Sequence, residues 1–311
     1  MTTYRILGSS PRCLVHRSLA SLAVVAAGCQ LLTPFPEPTP QPALVVAPVT
    51  ELPGLPAPAH LTPQIDYYEV DLPTPGQPTH VWTYAPSERA PDAKLPAVLI
   101  APAGSDLMHG MRLENGDRSE HLPYVLEGFV VVAYELSGAE QTPEGYGSFS
   151  KAQGGLVNGL AALAFASRQV PFVDSSKIFA AGHSSAGDAA LLLAAHAPSL
   201  KGAAIYNSAG DGCWFQTRGW LKRVAGSHPH LPEFCQRTRA ANHVGHLAVP
   251  LFLFTSREDT TCPSSSVEAL AAQLHQAGRA CKLVEVSQGD HYSSMLEQGL
   301  PAAIAWMRSF L

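Results

Sequence analysis

The residues with the clearest capacity for chemistry stand in the hexapeptide GHSSAG, residues 182–187, between the apolar run KIFAAGH and the Ala/Leu-rich run DAALLLAAHA. The pattern predicts a strand, a sharp turn carrying a serine, then a helix. A serine hydroxyl becomes a useful nucleophile when a base removes its proton and N–H groups stabilise the oxyanion that follows. A strand-to-helix turn projects the hydroxyl outward and aims the helix's first N–H groups at the reacting oxygen. Two serines compete. With Ser184 as nucleophile the flanking positions are Gly182 and Ala186, both small; with Ser185 they are His183 and Gly187, and an imidazole fits a tight turn poorly. Ser184 is therefore the favoured nucleophile, with the Ser185 backbone N–H as an oxyanion donor.

Two further residues stand where a serine would need partners. The apolar run PLFLFT (250–255) reads as a buried parallel strand, and Asp259 follows its carboxyl end in SREDTTCP. A helical stretch from Ser264 to Ala277 ends at Gly278, and the next strand, CKLVEVS, runs into QGDHYSS, placing His291 on the loop beyond it. Open α/β sheets carry their working residues on these carboxyl-end loops. Asp211, after the GAAIYN strand, is an alternative acid; Asp290 adjoins His291 and is poorly placed to reach its ring.

These residues require a sheet to hold them. Strand-like runs occur at 65–71, 79–84, 96–101, 129–134, 177–183, 202–207, 250–255 and 281–286, predicting eight strands. The first two alternate and suit an antiparallel edge; the later ones are almost wholly apolar, as strands covered on both faces are. Helical stretches at 152–168, at 185–197 and after Pro301 lie between or beyond them. The expected fold class is α/β, a mostly parallel eight-stranded sheet with helices on both faces.

From about residue 65 onward the chain resembles an α/β-hydrolase, most closely the dienelactone hydrolase and prolyl-oligopeptidase catalytic-domain branch. The resemblance is carried by VDSSKIFAAGHSSAG, NHVGHLAVPLFLFTSREDTTCP, QAGRACKLVEVSQGDHYSSM and GFVVVAYELSG. It implies an α/β-hydrolase fold with Ser184 as nucleophile, His291 as general base and then acid, and Asp259 orienting His291, in that family's chain order. It also implies a second oxyanion donor on the loop after PAVLIA, at Ala103 or Gly104, although APAGS stands where H-G-G-like residues are commoner. Prolyl oligopeptidases add a large propeller, for which this chain has no room. An esterase acting on a small-molecule ester is accordingly expected over a peptide or amide hydrolase or a non-catalytic binding protein.

An insertion at about 210–247 is expected to cap the site, with Trp214, Phe215 and Trp220 as pocket residues. Its His228, His230, His243 and His246 lack a C-x-x-C partner, so no metal or other cofactor is expected. Arg5, Arg12 and Arg17 followed by the short apolar stretch Leu19–Ala27 read as an export signal over 1–28. AAGC at 26–29 resembles a bacterial lipobox, implying lipidation of Cys29 and a membrane anchor on the cell envelope. The proline-rich stretch 29–63 is expected to be a tether, with the catalytic domain at 64–311. Cys213, Cys235, Cys262 and Cys281 make an even count in an exported domain; Cys213–Cys235 and Cys262–Cys281 are the expected disulfides. A net charge of −5, with charged residues at 14% and no basic stripe, argues against nucleic acid as a partner.

Overall fold

A computed structural model describes residues 39–105, 108–211 and 229–311. Cys29, the export signal, Cys213, Trp214, Phe215, Trp220 and His228 lie outside the described residues.

The apolar runs form one sheet. Its strands are β1 (Ala59–Thr62), β2 (Ile65–Leu72), β3 (Thr79–Pro86), β4 (Leu95–Ile100), β5 (Val130–Tyr134), β6 (Val173–His183), β7 (Gly202–Tyr206), β8 (Leu251–Ser256) and β9 (Cys281–Val286). They lie in the order β1-β2-β3-β5-β4-β6-β7-β8-β9. The β1–β2, β2–β3 and β3–β5 pairs are antiparallel, and all pairs from β5 to β9 are parallel. The eight expected strands are all present, with β1 as a ninth at the edge. AHLT is short, half exposed and without an apolar alternation of its own, so its sequence carries no strand signal.

Seven helices of eight or more residues pack on the sheet among the described residues: α1 (Arg118–Leu126), α2 (Pro143–Lys151), α3 (Leu156–Arg168), α4 (Ser185–His196), α5 (Leu231–Thr238), α6 (Ser264–Gln276) and α7 (Leu300–Arg308). Because successive strand residues point to opposite faces, the wholly apolar strands feed two cores. Val130, Val132, Leu251 and Leu253 join α3, α4 and α6 on one face. Val131, Ala133, Phe252 and Phe254 join α1 and α7 on the other. A sheet covered on both sides has no wet face, which is why these strands show no polar alternation.

Two expectations meet a different structure. From Thr39, the first described residue of the proline-rich stretch, through Pro58 the chain has neither helix nor strand and lies along the domain. Leu44, Val46, Val49, Leu52 and Leu55 pack against the core, the Gln41 N–H donates to the Asn242 carbonyl at 3.1 Å, and the Gln153 amide donates to the Val45 carbonyl. The leucines and valines spaced between the prolines provide the apolar contacts that proline and polar residues alone would lack. The Cys262–Cys281 disulfide is absent, both cysteines being unbridged. The parallel register places Cys281 beside Leu251, the first residue of β8, whereas Cys262 lies on the loop beyond that strand's other end, Ser256, with its N–H on Asp259. A strand of this length spans roughly 17–20 Å at about 3.3 Å per residue, far beyond the Cα separation of about 4.4–6.8 Å that a disulfide spans. Burial pushes the Cys281 thiol up to about 12, and burial beside Asp259 raises that of Cys262 as well.

Alkylation with iodoacetamide under denaturing, non-reducing conditions should therefore modify both Cys262 and Cys281. A peptide pair linked through these two residues in the digest would contradict the register.

Candidate active site

The strand ends converge on one rim of the sheet. β6 ends at His183 and α4 begins at Ser185, leaving Ser184 as the hinge with φ 54° and ψ −126°. A non-glycine residue there is strained by about 1–3 kcal/mol and persists only where its surroundings hold it. They do: the Ser184 N–H donates to the Tyr206 carbonyl at 3.0 Å, and the Gly187 N–H donates to the Ser184 carbonyl at 2.9 Å. The turn is tight enough to forbid side chains at two places. A Cβ on Gly182 would lie 2.1 Å from the Ala186 carbonyl oxygen, and one on Gly187 would lie 2.6 Å from Ser208 Cβ. Ala186 is fully buried yet accommodated. Gly187 is thus a second obligatory glycine of the turn, next to Ala186 at the second small position of the Ser184 motif.

Ser185 points elsewhere. Its Oγ accepts the N–H groups of Gly104 (2.9 Å) and Ser105 (3.0 Å) on the loop after β4. Of the two expected oxyanion donors, Ala103 and Gly104, the Gly104 N–H is thus engaged by the Ser185 hydroxyl in this structure. The Ser105 hydroxyl donates in turn to the His109 carbonyl at 2.6 Å, so the loop is tied at both ends.

The acid and the base meet across the loops after β8 and β9. The His291 Nδ1–H donates to Asp259 Oδ2 at 2.7 Å, while Asp259 Oδ1 accepts the Thr261 and Cys262 N–H groups at 2.8 Å each. The Asp259 side chain is completely buried, and with its oxygens occupied in this way it fixes the His291 tautomer and leaves Nε2 free to accept a proton. The competing carboxylates are engaged elsewhere. Asp211 pairs with the buried Arg239 at 2.8 Å, and Asp290 accepts the Tyr292 and Ser293 N–H groups, which lower its pKa.

Behind His291 stand residues that the spacing did not single out. The His183 and His291 rings lie 4.5 Å apart between centroids, and Glu120 Oε1 is 3.9 Å from His183 Nδ1. Burial, with the charge of Asp117 second, raises the Glu120 carboxyl to about 7. Asn207, at the end of β7, has φ 46°. Imidazole at 183 was readable only as a bulky flank, and Asn207 only as a polar residue ending an apolar strand.

A small cleft adjoins the rim, lined in part by Ser105, Phe149, Ser185, Asp188, Leu192 and Arg239; Ser184 itself does not line it. Within the expected cap, α5 packs into the main core, with Phe234 against Tyr146 and Phe149. The aromatics expected in the pocket, Trp214, Phe215 and Trp220, fall outside the described residues. His243 Nε2–H donates to the Arg237 carbonyl, and its Nδ1 accepts from His196 Nε2–H at 3.2 Å. Among the described residues no group of three or more His, Cys, Asp or Glu side chains is placed to hold a metal ion.

The family model of the prolyl oligopeptidases matches residues 118–311. No curated protein matches the sequence. Among solved structures, the acetyl xylan esterase of Paenibacillus sp. R4 superposes with a TM-score of 0.64 at 20% identity, over 84% of this chain and 90% of that one. The putative dienelactone hydrolase of Klebsiella pneumoniae gives 0.56 at 17%, over 78% and 98%. The acylaminoacyl peptidase of Pyrococcus horikoshii gives 0.59 at 16%, over 80% of this chain and only 41% of the peptidase. At such identities the likeness is one of fold.

The raised Glu120 pKa has a definite sign. Folding favours the protonated carboxyl, so its contribution to stability is complete below the ordinary glutamate pKa and is lost as pH rises through about 7. Glu120→Gln should match the wild type in unfolding free energy, read by denaturant titration, near pH 4.5 and exceed it at pH 8.5 by up to about 3 kcal/mol. An equal difference at both pH values would contradict the assignment.

Proposed function

The chain belongs to the prolyl oligopeptidase family and is a serine hydrolase of α/β-hydrolase type, and from that premise we propose that it cleaves carboxylic esters through an acyl-enzyme formed on Ser184. The observation that carries this reading is the His291–Asp259 bond at 2.7 Å on the same rim as the strained Ser184 turn. In the proposed mechanism His291 Nε2 takes the Ser184 proton as Oγ attacks the ester carbonyl, and the oxyanion is held by the N–H groups of Ser185 and Ala103. His291 then protonates the departing alcohol. Water attacks the acyl-enzyme with His291 again as base, regenerating Ser184. Asp259 keeps Nδ1 protonated and stabilises the imidazolium at each stage.

An ester is preferred to a peptide because the likeness to the acetyl xylan esterase extends over nearly all of that enzyme, whereas it covers about two fifths of the acylaminoacyl peptidase.

A fluorophosphonate probe should label the wild type, with labelling abolished in Ser184→Ala and retained in Ser185→Ala. Asp259→Asn should lower kcat by about 10⁴-fold. Failure of the wild type to label would remove the serine-hydrolase reading, and labelling that survives Ser184→Ala but not Ser185→Ala would move the nucleophile by one residue. With a panel of chromogenic esters and peptide anilides, kcat/KM is expected to favour the short esters; a preference for anilides would instead assign an amidase.

The second part of the proposal concerns location. The AAGC sequence after a short apolar stretch supports lipidation at Cys29 and a membrane-anchored, exported enzyme. No described helix is long and apolar enough to cross a membrane. Intact-mass analysis of the membrane fraction should show a mature chain beginning at an acylated Cys29, and an unmodified Cys29 would refute the anchor.

A further inference from the structure

His183 and Asn207 meet at one atom, the backbone carbonyl oxygen of His291. His183 Nε2–H donates to it at 2.8 Å and Asn207 Nδ2–H at 2.6 Å, and the Asn207 amide also donates to Ser294 Oγ at 3.2 Å, three residues further along the same loop. Both side chains are buried, Asn207 completely. A buried pair of donors converging on one loop carbonyl fixes that loop far more strictly than packing would.

Their main chains are the other half of the argument. His183 immediately precedes Ser184, so its backbone ends at the nucleophile while its ring holds the base. Asn207 immediately follows Tyr206, whose carbonyl accepts the Ser184 N–H, and its own N–H donates to the Phe254 carbonyl on β8. Each residue thus ties the Ser184 turn to the His291 loop across a single covalent step. Asn207 does so at φ 46°, a left-handed backbone that asparagine tolerates and most residues resist. We propose that His183 and Asn207 are positioning residues, which set the distance and angle between the Ser184 hydroxyl and the His291 ring by clamping the His291 carbonyl. This inference rests on the proposed roles of Ser184 and His291.

The His183 ring is well suited to the task. Burial and the adjacent His291 depress the His183 pKa to about 4, so the ring is neutral, and with Nε2–H committed to the carbonyl it is Nδ1 that carries the lone pair. A neutral ring 4.5 Å from His291 adds no charge against the imidazolium that forms during catalysis. A displacement of about 1 Å in a catalytic pair can cost about a hundredfold in rate, so loss of the clamp should appear in kcat and leave KM nearly unchanged.

The test uses the full-length protein with p-nitrophenyl acetate, with active sites counted by fluorophosphonate titration so that misfolded molecules are excluded. His183→Leu should lower kcat per active site by about 10- to 100-fold with KM within about twofold. His183→Gln, whose amide N–H reaches the same carbonyl, should recover most of the loss. Asn207→Gly, which keeps the left-handed backbone and removes the donor, should lower kcat in the same sense, and it stands in if His183→Leu does not fold. A kcat per active site within twofold of wild type in His183→Leu and Asn207→Gly, or a His183→Gln variant no better than His183→Leu, would overturn the inference while leaving Ser184 and His291 in their roles. An unlabelled wild type would remove those roles as well.

Discussion

Everything in this molecule that bears on chemistry depends on one strained backbone, that of Ser184 at φ 54° and ψ −126°. Left alone, such a conformation would relax. It is maintained because the Ser184 N–H is committed to the Tyr206 carbonyl on β7, because the Ser184 carbonyl accepts from Gly187 at the start of α4, and because no side chain intrudes at Gly182 or Gly187. A relaxed Ser184 would drop its hydroxyl back into the strand and re-aim the first N–H groups of α4. The parallel pairing of β6, β7 and β8 is what holds the accepting carbonyl in place.

The same strand ends fasten the partners. The loop after β8 presents Asp259, locked by two backbone N–H groups; the loop after β9 presents His291, locked by Asp259 on its ring and by His183 and Asn207 on its carbonyl. Ser256 Oγ donates to the Gly289 carbonyl and Glu258 accepts the Gly289 N–H, joining these two loops directly. The loop after β4 is fastened by the Ser185 hydroxyl. The second serine of GHSSAG thus braces the loop after β4 with its hydroxyl, and the proposed attacking role stays with Ser184.

Much of this was legible in the residues. Apolar runs without alternation marked the parallel strands because a strand covered by helices on both faces has no solvent side, and Asp259 and His291 were readable because each follows such a run directly. What stayed hidden depended on contacts between distant segments. The count of four cysteines suggested bridges, but whether Cys262 and Cys281 meet is decided by the β8–β9 register, which no local pattern reports. The proline-rich stretch looked like a tether because prolines dominate it, while its interspersed Leu44, Val49 and Leu52 matter only once a surface exists to receive them. The diversion of the Gly104 N–H to Ser185, and the clamp on the His291 carbonyl, join residues 81 and 108 positions apart or more widely placed than any motif spans.

The central claim is that the Ser184 turn, the His291–Asp259 pair and the β4 loop form one reaction centre. A crystal structure of the covalent phosphonate adduct addresses it most directly. The account predicts phosphorus bonded to Ser184 Oγ, its phosphoryl oxygen about 2.7–3.1 Å from the Ser185 and Ala103 nitrogens, and the Ser185 hydroxyl still accepting from Gly104 and Ser105. Phosphorus on Ser185, or the phosphoryl oxygen seated on the Gly104 and Ser105 N–H groups in place of that hydroxyl, would contradict it.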